Sequence, residues 1–194
     1  MPQRLVAILC LCGFAFLATL WAVTPGVWLD VPFIKQEKDG CGAASIAMVM
    51  QYWLKQRGHA MDSSADAVAI QRELSSGKDS KDAGKDSGKN KDRGIRASDM
   101  QRYFQQHGFQ TFPFTGKWDD LKQHLEKGRP LIVALKPSAL ESSLHYVVVV
   151  GVDPEQNIVL LNDAAQRKLL KQERASFENQ WSAVGHWTLL ALPK

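Results

Sequence analysis

Cys41 is the only cysteine outside the apolar N-terminal segment, which holds Cys10 and Cys12. A lone thiol cannot close an internal disulfide, so in an exported chain it is either an inert core residue or a reactive group. Its setting favours reactivity. In QEKDGCGAASIAMVMQY (Gln36–Tyr52), Gly40 and Gly42 flank the thiol, and Asp39-Gly40 reads as a turn before a proline-free apolar run. The pattern predicts a helix that starts near Cys41 and closes at Gly58. A helix N-terminus supplies partial positive charge and free N–H groups, both of which lower a thiol pKa. Gly40 and Gly42 would let a substrate backbone come close. A nucleophilic thiol further needs a base, a group to orient the base, and donors for a developing oxyanion. Gln36, just upstream, could fold its amide toward the sulfur as such a donor; the competing reading is a solvated loop glutamine.

The base must come from five histidines. His59, His107 and His124 lie beside glycines or on polar helix faces and read as surface residues; His186, beside Gly185, is less clear. His145 opens the run LHYVVVVGV, which places a polar ring at the mouth of a buried strand, where a helix N-terminus lying on the sheet could meet it. The alternative is a hydrogen-bonded core histidine. Asp153-Pro154 turns the chain, and Ile158–Leu161 returns antiparallel, ending at Asn162-Asp163. That hairpin makes His145 and Asp163 cross-strand or diagonal neighbours. A carboxylate there would fix the imidazole tautomer and stabilise its charged form. Asn162 competes for the role, since alternation puts Asn162 and Asp163 on opposite faces and only one can point at His145.

The elements that must position these residues follow from punctuation and periodicity. Val27–Ile34 alternates like a short strand and reads as an edge strand or an extended lead-in, demoted from a central strand by Pro32. The helix after Cys41 is apolar nearly all round and belongs in the middle of a domain. Ser63–Leu74 reads as a second helix. Ser75–Gly94 repeats a G-K-D-S-like unit with Ala83 as its only apolar residue, and reads as a disordered low-complexity surface insert. Its GKDSGKN lacks the spacing and the strand context of a phosphate loop. Helices are expected from Ala97 to Gln106 and Lys117 to Lys127. Strands are expected at Phe109–Phe114, Leu131–Leu135, Leu144–Val152, Ile158–Leu161 and Trp187–Leu192, with a helical turn from Ser176 to Trp181. Helices early and antiparallel strands late make an α+β chain.

The chain has 194 residues, 45% of them hydrophobic, and a net charge of +4. That suits one globular domain plus an appendage. The positive excess forms no basic, aromatic-interleaved face of the kind nucleic acid requires. After Arg4, Leu5–Val23 is free of charge, so residues 1–26 read as a signal peptide or an N-terminal membrane anchor, with the remaining residues, 27–194, exported. The expected location is membrane-anchored, facing the periplasm or exterior, or secreted.

Taken together, QEKDGCGAASIAMVMQYW, GIRASDMQRYFQQHGF, LKQHLEKGRPLIVAL, LHYVVVVGVD, LLND and the tail SFENQW resemble the double-glycine leader peptidases, papain-like cysteine peptidases that process bacteriocin precursors. The resemblance implies a papain-like fold with N-terminal helices packed on a C-terminal antiparallel sheet. It implies Cys41 as nucleophile, His145 as general base and acid, Asp163 as orienter and Gln36 as oxyanion donor, acting on a peptide or protein substrate without a cofactor or metal. The chain departs from the family in its topology, since its leader points outward whereas a transporter-fused peptidase works on the cytoplasmic side, and in two further ways. Ala164 stands where a proline often follows the aspartate, and neither transporter spans nor a Walker motif accompany the domain, so a stand-alone member is expected. Two alternatives stay open: a papain-like acyltransferase, and a non-catalytic peptide-binding module.

Overall fold

A computed structural model describes residues 25–60, 62–76, 95–137 and 144–194. The expected leader, nearly all of the insert and most of the Pro137–Ser143 loop lie outside the described residues. Among the described residues no helix is long and apolar enough to cross a membrane.

The chain enters through a two-residue strand, β1 (Val27–Trp28), and then runs extended to α1 (Cys41–Gln56). Pro32 has no N–H to donate, which fits a lead-in that soon leaves the sheet. A 3-10 turn, Ser63–Ala65, precedes α2 (Ala67–Ser76), so the expected single helix is broken at Asp66. The break has a local cause: the carboxylates of Asp62 and Asp66 accept from Ser64 N–H at 2.6 Å and Ala69 N–H at 2.8 Å, each opening its own helical turn. Next come α3 (Ala97–Gln106), β2 (Phe109–Thr115), α4 (Trp118–Glu126) and β3 (Leu131–Leu135). The C-terminal part holds β4 (His145–Asp153), β5 (Ile158–Asn162), β6 (Leu170–Glu173), α5 (Arg174–Ser182) and β7 (Trp187–Pro193). β6 is a half-exposed edge strand of sequence LKQE, whose polar alternation gives no strong cue.

All the described pairings are antiparallel, in the order β2-β7-β3-β4-β5-β6, with β1 beside β4 beyond the end of β3. The sheet is covered on both faces. One core joins α1, α2 and α3 to Ile132, Ala134, Tyr146, Val148 and Val150. The other joins Trp118, Leu121 and Leu125 of α4 and Phe177 and Trp181 of α5 to Val133, Val147 and Val149. This explains the run of valines in β4: a strand buried on both sides reads as continuously apolar, not alternating.

α1 is the central helix. Residues Gly42–Met50 are all buried, and Tyr52 is 4% exposed. Its polar atoms are tied to three other elements: Tyr52 Oη donates to Gly128 O at 2.8 Å, Trp53 Nε1 to Ala191 O at 3.1 Å, and Gln51 Nε2 to Ala65 O at 2.9 Å. Gly58, at φ +67, ends it in the left-handed region that glycine tolerates. Near its start, the buried Ser45 hydroxyl donates to Tyr146 O at 3.4 Å, a long bond that sets the first turns of α1 against the start of β4. The helix N-terminus and the strand mouth are thereby fixed side by side.

Candidate active site

The loop before α1 closes through Gly40 N–H to Glu37 O at 3.0 Å, with Asp39 at φ 57. Gly40 caps the helix without a side-chain hydrogen bond, and no acidic residue occupies the first turn. The first intrahelical bond is Ala44 N–H to Gly40 O at 2.9 Å. The N–H groups before Ala44 therefore have no helical partner, and no carboxylate of the helix's own first turn faces the positive end of the dipole. Cys41 stands at this end, half-buried and free.

The two flanking glycines have structural reasons that differ from the expected one. A Cβ on Gly42 would lie 2.9 Å from Ile95 Cβ, so its bare Cα is needed for α1 to pack on the segment leading into α3. A Cβ on Gly40 would meet Glu37 O at 3.1 Å inside the tight turn.

His145 opens β4, and Asp163 follows directly on β5. The β4–β5 hairpin pairs Asp153 with Ile158, Val152 with Val159 and Gly151 with Leu160, and then resumes at Val149–Leu161 and Val148–Asn162. One residue of β4, Val150, is skipped in a bulge. Continued past Asn162, this register sets Asp163 opposite Val147, one strand repeat from His145 and on its face. Without the bulge Asp163 would fall opposite Val148, on the other face. His145 Nε2 and Asp163 Oδ1 lie 2.8 Å apart, with side chains 19% and 3% exposed. Asn162 turns elsewhere: its Nδ2 donates to Val31 O at 3.1 Å and its Oδ1 accepts from Leu169 N–H at 3.1 Å. Of the two neighbours, Asp163 is the one that meets the imidazole.

The buried carboxylate is well supplied with donors. Oδ1 accepts from Ala165 N–H at 2.9 Å as well as from His145, and Oδ2 accepts from Gln166 Nε2 at 2.7 Å. Burial pushes Asp163 up, but the His145 hydrogen bond and charge, with Ala165 and Gln166, outweigh it and leave the carboxyl below its ordinary value. Burial pushes His145 down, but Asp163 and Cys41 overcome it and raise the imidazole to about 9. Burial pushes the Cys41 thiol up, yet hydrogen bonding and charge from His145, with hydrogen bonding from the Tyr146 and Gly42 backbone, carry it below the usual value. The three directions agree on a thiolate, an imidazolium and a carboxylate in sequence. With Nε2 committed to Asp163, Nδ1 is the ring nitrogen left for the sulfur.

Gln36 is anchored next to this set. Its N–H donates to Ala164 O at 3.0 Å, which ties the loop before the thiol to the residue after the carboxylate. Its side chain packs by Gly40, with Cβ 3.7 Å from where a Gly40 Cβ would stand. One end of the Gln36 amide, placed as Oε1, is buried without a hydrogen-bond partner among the described residues. A half-turn of an amide exchanges its oxygen and nitrogen, so either can occupy that place. An unpaired buried amide atom is uncommon and fits a group whose partner arrives with a ligand.

The other histidines stand apart from the site. His107 stacks on Tyr103 at 4.1 Å, His124 lies against Phe114 at 5.8 Å, and His186 Nε2 meets Glu178 Oε2 at 3.3 Å. Gln166 and the Ala164 carbonyl are the site groups that the sequence did not reveal; both act through a turn whose residues, Ala164-Ala165-Gln166, carry no motif. Among the described residues no group of three or more His, Cys, Asp or Glu side chains is placed to hold a metal.

Comparison with known proteins bears on residues 28–188, which match the model of the Peptidase_C39 like family. Among solved structures, a protein from Bacillus anthracis described as a C39-like peptidase has a TM-score of 0.64 at 20% identity, covering 88% of this chain and 99% of its own. A double glycine motif protease from an AMS/PCAT transporter, solved with its leader peptide, has a TM-score of 0.60 at 20% identity, over 87% of this chain and 95% of its own. The peptidase domain of Streptococcus ComA, a bifunctional ABC transporter of a quorum-sensing pathway, has a TM-score of 0.56 at 21% identity, over 84% and 98%. At these identities the structures establish a shared fold, mixed helix and antiparallel sheet of the papain-like kind. No curated protein matches the chain.

Proposed function

The chain belongs to the Peptidase_C39 like family, and from that premise we propose that it is a cysteine peptidase with Cys41 as nucleophile, His145 as general acid and base, Asp163 as orienter and Gln36 as oxyanion donor. The observation that carries the reading is the 2.8 Å His145–Asp163 pair beside a half-buried thiol at an uncapped helix N-terminus.

In the proposed cycle the Cys41 thiolate attacks a peptide carbonyl carbon. The developing oxyanion is held by the Cys41 N–H and the Gln36 amide. The His145 imidazolium gives its proton to the leaving amine as the C–N bond breaks, which leaves a thioester on Cys41 and a neutral imidazole. His145 then takes a proton from water as the water attacks the thioester. The acid product leaves, and the thiolate–imidazolium pair is restored. Asp163, acceptor-only and buried, holds the ring in one orientation and supports its charged form throughout. The charge-free Leu5–Val23 run adds that the domain works outside the cytoplasm, tethered or released.

A peptide-library digest tests the reading. We expect new amino termini from the wild-type protein and none from Cys41→Ala. An added amine appearing on the carboxyl fragments in place of water would instead assign acyl transfer. No product under any condition would leave a binding module.

A further inference from the structure

We propose that Gln166 is a positioning residue for this site: its side-chain amide clamps the second oxygen of Asp163 and keeps that carboxylate ionised and aimed at His145. The proposal rests on the peptidase reading and adds a residue to it.

Asp163 is 2% exposed, so water does little for its charge. Its Oδ1 is shared by His145 Nε2 at 2.8 Å and Ala165 N–H at 2.9 Å, whereas Oδ2 is served by Gln166 Nε2 at 2.7 Å. A buried carboxylate oxygen without a donor is costly, and the carboxyl answers by rotating or by taking up a proton. Either response weakens its hold on the imidazole. Because an ionised carboxylate only accepts, the Gln166 amide must present nitrogen to it, which fixes the orientation of that amide.

The clamp is local. Gln166 N–H donates to Asp163 O at 3.0 Å, and Asp163 N–H donates to Arg167 O at 3.2 Å, so the residues form one closed turn. Gln166 itself is exposed. Its hydrogen bond inward therefore serves the carboxylate and not a core. The turn also carries the Ala164 carbonyl that anchors Gln36, so the group before the thiol and the group behind the imidazole share one support. The titratable groups that bear on the unit are His145 on Asp163, Cys41 on His145, and Tyr146 beside Cys41, which is pushed up to about 12 by burial and stays protonated; Asp99 acts on Tyr146.

The test is iodoacetamide alkylation of Cys41 at pH 6 and pH 10 in the wild-type protein, Gln166→Met and Gln166→Ala, with melting temperature as the check on folding. The readout needs no substrate. Losing a hydrogen bond to a buried charge should cut the pH 6 rate roughly tenfold and leave the pH 10 rate, above the value of about 9 at which His145 gives up its proton, unchanged. Folded variants that keep the wild-type ratio of the two rates would overturn the proposal, whatever their melting temperature. A wild-type thiol without enhanced reactivity at pH 6 would instead remove the ion pair, and with it the peptidase reading on which the proposal stands.

Discussion

His145 Nε2 and Asp163 Oδ1 meet at 2.8 Å because a bulge at Val150 shifts the β4–β5 register by one residue. The shift decides which side of the hairpin Asp163 shares, and so whether a carboxylate reaches the imidazole at all. His145→Ala removes the imidazole placed to move protons at the thiol and should lower peptide turnover by about 10³-fold or more. Asp163→Asn keeps the shape but sets an amide donor among the donors that now serve a carboxylate. It should lower turnover by less than His145→Ala, measured as kcat/KM on one peptide. The reverse order would argue against the orienting role.

Asn162, next along the chain, should behave differently. It is fully buried and bonds Val31 O and Leu169 N–H, so Asn162→Ala strands one acceptor and one donor inside the protein. We expect a loss of about 2–4 kcal/mol in urea denaturation, with the pH dependence of the remaining activity unchanged.

The pH dependence follows from the signs of the shifts. His145 is raised from 6.5 to about 9 in the fold, so the stability it contributes is fully present below about 6.5 and fades as pH climbs through about 9. Asp163 is lowered from 3.8, so its contribution is present above that value and fades as pH falls through its depressed one. Chemical denaturation between pH 3 and 10 should find a plateau bounded by these two losses. Activity should be bell-shaped, falling in acid as Cys41 and Asp163 protonate and in base as His145 loses its proton.

Gln36→Ala should reduce kcat by about 10²–10³-fold with little change in folding, since the buried Oε1 end of the amide has no hydrogen-bond partner to lose among the described residues. A variant with near wild-type kcat would show that the oxyanion is held by other donors.

The helices and central strands were legible because their cues are local. α3 at Ala97–Gln106 and β3 at Leu131–Leu135 lie where apolar spacing and flanking Gly108 and Pro130 put them. The break at Asp66 was hidden because an aspartate inside an amphipathic run reads equally as a solvated face. β6 was hidden because LKQE gains its pairing from β5, not from its own composition. At the site, Cys41, His145 and Asp163 were accessible through helix-start and hairpin logic. The choice between Asp163 and Asn162 was not, since one bulged residue inverts the parity, and four consecutive valines hide where it falls. Gln166 was out of reach for a similar reason: an exposed glutamine in a turn looks the same whether its amide faces water or a buried carboxylate.

In the proposed cycle Cys41 becomes acylated during peptide cleavage. Rapid acid quench of the wild-type protein with a cleavable peptide, followed by intact-mass and fragment analysis, measures this directly. We expect an adduct equal to the amino-side fragment on Cys41, absent from Cys41→Ala, which should not cleave. Full turnover by Cys41→Ala, or cleavage in which the adduct sits on another residue, would contradict it.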